Sequence, residues 1–207
     1  MILLTDCFCL YMSLFMRIIR PVLSSLVSSV YVVAMSILLV CPVSGGQNTS
    51  WILIDTKALT LKVMQGDKEA VTFTDIAIGR YGADTDRRRG DNTTPLGHFT
   101  IAWITEDTSF HRFFGFRYPS QEYAERAFLA GYLDKKTWNV IRRAFASGRL
   151  PPQDTILGGN LGIHGIGKGD IHVHRQYNWT NGCVALTNEQ IDRLTKWISI
   201  GTSVEIR

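Results

Sequence analysis

Beyond an apolar N-terminal segment, the chain keeps a single cysteine, Cys183. The other three cysteines, at positions 7, 9 and 41, lie in or before that segment. The rest of the chain therefore cannot form an internal disulfide, and its roughly 160 residues must fold around a hydrophobic core. A composition of 45% hydrophobic and 19% charged residues is typical of one globular domain.

The first 46 residues have the layout of an export signal. Arg17 and Arg20 precede an almost uncharged stretch, 22–40, and small residues follow at 44–46. This order predicts a cleaved signal peptide, with Met16 as an alternative start; a retained membrane anchor and a lipoprotein signal at Cys41 are the other interpretations. All three place residues 47–207 in the periplasm or cell envelope, with membrane contact only through the N-terminal segment. In an oxidising compartment a lone thiol is a liability, which favours a functional role for Cys183.

The positive charges of the chain form no long basic surface. The net charge is +4, and the basic residues cluster only at Arg87–Arg89 and at Arg142–Arg143. Such short clusters are typical of solvated faces. We therefore expect no nucleic-acid partner.

Alternating and apolar segments predict a β-rich α+β domain. The expected strands are 51–55, 59–63, 71–78, 98–103, 161–163 leading into His164, 184–186, and an edge strand at 203–206.

Helix-capping residues interrupt these strands. Ser120 and Asp134 can each cap a helix, so a helical insertion is expected at about residues 117–148. Thr187 and Gln190 have the order of a capping box, which predicts a further helix directly after the strand that follows Cys183.

The surroundings of Cys183 suggest a reactive thiol. Gly182 lets the backbone approach a substrate closely, and His164 lies nineteen positions earlier in a His164-Gly165 pair. A histidine that accepts the thiol proton is the general arrangement of a cysteine nucleophile. Spacing alone leaves an inert buried cysteine equally open.

Several ordered motifs resemble the L,D-transpeptidase catalytic domain of the YkuD type. The similarity rests on Ile163-His164-Gly165 and on the run from Thr180 through Gly182-Cys183 to Leu186. Two upstream segments add to it: Gly90-Asp91 followed by 94–99, and 154–159 just before the histidine. The resemblance covers about residues 51–207, and it implies a mixed β-sandwich or barrel.

The resemblance also implies a reaction. The family performs acyl transfer on peptidoglycan stem peptides through a cysteine thioester, with an amine of a second stem or another amine as acceptor, and without a cofactor. Carried over by position, Cys183 is the nucleophile, His164 the base, and Gly165 the carbonyl that orients the imidazole. The backbone N–H groups of Gly182 and Cys183 would hold the oxyanion.

Two positions depart from the family pattern. Asn181 stands where a histidine is usual, and Ala185 stands where many members carry an arginine that could anchor a substrate carboxylate. We expect Arg175 or Lys168 to supply the missing positive charge. The other expected substrate-binding residues are Thr180, Asn181 and Trp179, which lie in the segment just before Cys183.

Three other interpretations remain open at this stage. The same cysteine and histidine could form a peptidoglycan peptidase or amidase that uses water as acceptor, although papain-like enzymes place cysteine before histidine. A non-catalytic wall-binding module is less favoured. A zinc site of His172, His174 and Cys183 is the least favoured, because no second cysteine or carboxylate cluster lies near, so no metal is expected.

Overall fold

The structure, a computed structural model, describes residues 50–207. Its main feature is an eight-stranded mixed sheet in the order β3-β2-β1-β10-β6-β7-β8-β9. A separate parallel pair, β4 with β5, lies in the connection before β6. The strands are β1 Ser50–Asp55, β2 Thr60–Gln65, β3 Lys68–Phe73, β4 Ala83–Asp84, β5 Thr94–Pro95, β6 Gly97–Thr108, β7 His111–Phe116, β8 Gly162–Gly165, β9 Val184–Leu186 and β10 Ser203–Ile206. The β-rich α+β fold is confirmed.

The first three strands form an antiparallel meander. In β2, Leu61 and Val63 are fully buried and alternate with partly exposed residues, as the two-residue period of this strand predicts, whereas β1 buries three consecutive residues, Ile52–Ile54. β3 ends at Phe73, earlier than the expected 71–78. The residues beyond it instead run alongside β9 and the loop before it, with isolated bridges from Ala77 to Ala185 and from Gly79 to Thr180.

The last strand, β10, is wrongly predicted as an edge strand. It pairs in parallel with β1 and antiparallel with β6, so both of its edges are hydrogen-bonded. Its alternating Val204 and Ile206 are each about 1% exposed. Alternation shows which face of a strand is buried and leaves open whether its edges are paired, which explains the error.

A hairpin of β6 and β7 precedes the helical insertion, and β7 was not predicted. The two helices of the insertion begin where the caps predict. Ser120 caps α1 (Gln121–Leu129) by accepting from Tyr123 N–H, and Asp134 caps α2 (Lys135–Ala146) by accepting from Thr137 N–H. They enclose a small second core of Ala124, Ala127, Leu133, Ile141 and Leu157.

The last third of the described chain places β8 and β9 side by side and adds two helices. A short helix, α3 (Ile171–Gln176), occupies the loop between them and was not predicted. Helix α4 (Asn188–Thr195) follows β9 with the expected capping box between Thr187 and Gln190, and buries Ile191 and Leu194. Among residues 50–207 no helix is long and apolar enough to cross a membrane. The signal or anchor expected at 1–46 lies outside the described residues.

Candidate active site

The sheet brings His164 and Cys183 to one cleft. His164 lies on β8, and Cys183 lies directly before β9, which pairs with β8 in parallel so that His164 is opposite Ala185. Cys183 is two residues before Ala185, so its side chain lies on the same face as that of His164 and diagonal to it across the two strands. Both line a cleft of about 560 Å³.

The His164 imidazole is buried and held in one orientation. Its Nδ1 lies 2.7 Å from the backbone carbonyl oxygen of Gly165. Because a carbonyl can only accept, Nδ1 carries the proton and Nε2 of the neutral ring has the free lone pair. Phe110 packs on the ring at 4.4 Å between centroids, and Trp179 contacts it edge-on at 5.8 Å.

Burial also sets the charge state of the imidazole. His164 is 2% exposed, and this desolvation lowers its pKa below the ordinary 6.5, although the Gly165 carbonyl opposes the shift. His174 lowers the pKa further through charge repulsion. The ring is therefore neutral at physiological pH, the form that accepts a proton.

The Cys183 thiol is protonated in the resting structure. The residue is half-buried, and its Sγ lies 3.7 Å from the carbonyl oxygen of Asn160. Desolvation raises the pKa of the thiol to about 11, against the opposing influence of the Gly162 N–H and of the Arg87 charge. A neutral thiol and a neutral imidazole thus line the same cleft.

A tight turn presents Cys183. The Thr180 hydroxyl donates to the Cys183 carbonyl at 2.7 Å and accepts from Gly182 N–H at 3.1 Å. Gly182 has a φ of 124°, and a Cβ there would lie 2.6 Å from the Thr93 carbonyl oxygen, so only glycine fits. The Gly182 N–H is engaged in this turn, whereas the N–H of Cys183 has no hydrogen-bond partner among residues 50–207.

Arg87 holds this turn from below, and its interpretation as part of a solvated face is wrong. It is 4% exposed, and its guanidinium donates to the carbonyl oxygens of Thr93 (2.9 Å), Leu157 (2.7 Å) and Asn181 (3.2 Å). These acceptors belong to three separate loops that meet under the cleft. No local pattern marks Arg87, because its burial depends on loops distant in sequence.

Arginines dominate the charge of the cleft. Its lining includes Arg80, Arg87 and Arg89 and no aspartate or glutamate. Arg80 donates to the Asn181 side-chain oxygen at 2.8 Å and more weakly to the Trp179 carbonyl at 3.3 Å. Sequence reasoning missed Arg80, which has no motif around it.

The expected substrate-binding residues divide into two groups. Thr180, Asn181 and Trp179 line the cleft with Cys183. Arg175 is exposed on α3 and lines a different cavity, and Lys168 is exposed in the loop before α3, outside the cleft lining. The charge expected from these two residues is not brought to the cysteine in this structure.

The histidine pair of the zinc interpretation is not arranged on a strand. His172 and His174 lie on α3, where the side chains of residues two apart do not share a face. His174 is buried and accepts from the Trp179 indole N–H at 3.3 Å. Within the described residues, no three His, Cys, Asp or Glu side chains converge on a metal position.

Comparison with known proteins shows the family of the chain. The model of the YkuD family, described as the L,D-transpeptidase catalytic domain, matches residues 49–206. The chain belongs to this family. No curated protein matches the sequence.

Solved structures of similar fold are distant in sequence. One is the helical cell shape determining protein Pgp2 from Campylobacter jejuni, with a TM-score of 0.52, 16% identity, and coverage of 79% of this chain and 52% of that one. Another is an L,D-transpeptidase from Enterococcus faecium, with a TM-score of 0.44, 12% identity, and coverage of 77% and 50%. The chain thus spans about half the length of these structures.

Proposed function

We propose that this protein is a cell-envelope L,D-transpeptidase in which Cys183 attacks a peptidoglycan stem peptide and His164 is the base. One observation carries the proposal: the Gly165 carbonyl fixes the proton on His164 Nδ1 and leaves Nε2 as the acceptor, in the cleft that also contains Cys183. A protein of this kind acts outside the cytoplasm, in agreement with the export signal expected at 1–46.

The first half-reaction forms the thioester. The Sγ proton passes to His164 Nε2 as sulfur attacks the peptide carbonyl, and the negative charge develops on the carbonyl oxygen. The free N–H of Cys183 is the donor best placed to stabilise that charge; one such donor contributes on the order of 3 kcal/mol. The leaving amine, D-alanine in the family reaction, takes the proton from Nε2 as the C–N bond breaks.

The second half-reaction regenerates the thiol. An acceptor amine attacks the thioester carbonyl and gives a proton to Nε2, and that proton returns to sulfur when the C–S bond breaks. The imidazole is neutral before each half-reaction, so it needs no deprotonation to act as base. Because the similar structure of Pgp2 is that of a helical cell shape determining protein, a role in shaping the wall is part of the proposal.

The test is incubation of the protein with a tetrapeptide stem, with and without an amine acceptor. Mass spectrometry should show a Cys183 thioester and, with acceptor, an exchanged or crosslinked product. A carbapenem should likewise acylate the wild type. Shortened stems alone, with acceptor present, would indicate hydrolysis by water instead.

The control is Cys183→Ala. It should form no adduct and no product, since it lacks the nucleophile but keeps the turn. Product formation or a drug adduct in Cys183→Ala would overturn the proposal, and full cellular function of that variant would indicate a non-catalytic wall-binding role.

A further inference from the structure

Ala185, the position where many family members carry an arginine, has no room for a charged side chain in this protein. Ala185 lies in β9, between His164 of β8 and the bridge to Ala77, and is fully buried. A charged side chain there would be enclosed by the core, which is costly without a partner. Any group that recognises a substrate carboxylate must therefore come from elsewhere in the cleft.

Two of the three arginines in the cleft keep free donors. The buried Arg87 guanidinium donates from Nε, Nη1 and Nη2 to three carbonyl oxygens and is not available to a substrate. Arg80 is exposed and commits only Nη2, so its Nε and Nη1 have no hydrogen-bond partner among residues 50–207. The Arg89 backbone N–H is anchored to the Ile156 carbonyl at 2.8 Å, while its exposed side chain makes no hydrogen bond or ion pair within the described chain.

Nothing in the cleft neutralises these two cations. No acidic side chain is among the lining residues. Arginine presents a planar set of donors that matches a carboxylate at two points. Asn181 accepts from Arg80 at 2.8 Å and lies two residues before Cys183, so it ties the guanidinium to the turn that holds the nucleophile.

We propose that Arg80, oriented by Asn181, and Arg89 form the subsite for the free carboxylate at the C-terminal end of the donor peptide. This inference rests on the proposed function and assigns the residues that select the donor peptide. Asn181, at the position where histidine is usual, acts here as a positioning residue, and the charge absent at Ala185 is supplied from the loop that contains β4 and β5. The protein should therefore select stems with a free terminal carboxylate over their carboxamides.

The experiment compares one donor peptide as free acid and as C-terminal carboxamide. Wild type should prefer the acid in kcat/KM by about tenfold to a hundredfold, the usual range for a charged hydrogen bond. Arg80→Gln keeps a donor for Asn181 but loses the charge. That variant and Arg89→Ala should lose most of the preference through a higher KM for the acid, with little change for the amide.

Matched variants separate this role from a structural one. Arg143→Ala removes one exposed arginine from α2, outside the cleft, and should keep the full preference. Arg80→Lys should keep part of it. If Arg80→Gln and Arg89→Ala discriminate acid from amide as well as wild type does, the subsite is wrong; if they slow both peptides equally, the arginines only support the turn and the subsite is also wrong.

Failure of the transpeptidase proposal can be distinguished from failure of the carboxylate subsite. If wild type forms a thioester with neither peptide, the transpeptidase proposal fails, whatever the arginine variants do. Binding of the acid and the amide to Cys183→Ala, measured by calorimetry, then still tests the subsite. The inference predicts tighter binding of the acid there, lost in the Cys183→Ala protein that also carries Arg80→Gln; equal binding of both peptides overturns it.

Discussion

At the scale of single residues, the chemistry of the cleft depends on two neutral groups. Burial raises the pKa of the Cys183 thiol to about 11 and lowers that of the His164 imidazole. Many cysteine enzymes instead hold a thiolate beside an imidazolium, which requires a lowered thiol pKa. Here sulfur should lose its proton only as it attacks, which protects a solitary thiol from oxidation while no substrate is bound.

We therefore expect unusual thiol reactivity as a function of pH. A raised pKa means that the thiolate fraction keeps growing with pH, so the rate of Cys183 alkylation by iodoacetamide should rise through pH 9, the ordinary thiol value, without a plateau. Mass spectrometry of quenched samples between pH 6 and 10 gives the profile, with Cys183→Ala as blank. A plateau reached below pH 8 would instead show a preformed thiolate–imidazolium pair.

At the scale of elements, the site is assembled from three loops that each accept a hydrogen bond from the guanidinium of Arg87. Arg87 bonds to the loop before β5, the loop before β8 and the turn before β9. A Cβ at Gly158 would lie 2.6 Å from its Nη1, which shows how closely these loops surround it. The position of Cys183 thus depends on a guanidinium that is committed to backbone carbonyl oxygens.

Replacing Arg87 should affect both stability and activity. Arg87→Met fills much of the space but leaves three carbonyl oxygens without this donor; the bond to the buried Leu157 carbonyl is the costliest to lose, at about 1–3 kcal/mol for an unsatisfied buried group. We expect a clearly lower Tm and a lower kcat, measured by calorimetry and by the acyl-transfer assay. Arg143→Ala on α2 should change neither; an unaltered Tm in Arg87→Met would show that the three bonds contribute little.

Among the helices, the sequence could predict those that begin with a strong capping residue. Helices α1, α2 and α4 were predicted because Ser120, Asp134 and Thr187 act within one turn of the helix they begin. The six-residue α3 was missed because it offers little periodicity. Likewise, the motifs predicted Cys183 and His164 as site residues. Arg80 and Arg87 could not be predicted, because their partners lie in loops far away in the sequence.

At the scale of the whole molecule, buried histidines link stability to pH. His164 and His174 are both buried, and desolvation is the main cause that lowers the pKa of each below 6.5. Well above pH 6.5 both are neutral, whether the chain is folded or not. As the pH falls below 6.5, the unfolded chain binds protons that the folded protein does not, so stability declines.

The expected result is a Tm that falls between pH 6.5 and 5. Carboxylates with lowered pKa, such as Asp55 and Asp134, add their own loss only below about pH 4, near their ordinary value. His174→Gln keeps an acceptor for the Trp179 indole and cannot titrate, so its Tm should fall less over this interval. Calorimetry at a series of pH values tests this, and a flat wild-type Tm from pH 7 to 5 would contradict it.

The central position of β10 has a consequence for the order of events during synthesis. β10 separates β1 from β6, so within the eight-stranded sheet of the described residues the β1–β3 meander and the β6–β9 half are joined through residues 203–206. Until those residues leave the ribosome, the two halves have no strand in common, and contacts so distant in sequence form late. The eight-stranded sheet can therefore close only once residues 203–206 have been synthesised.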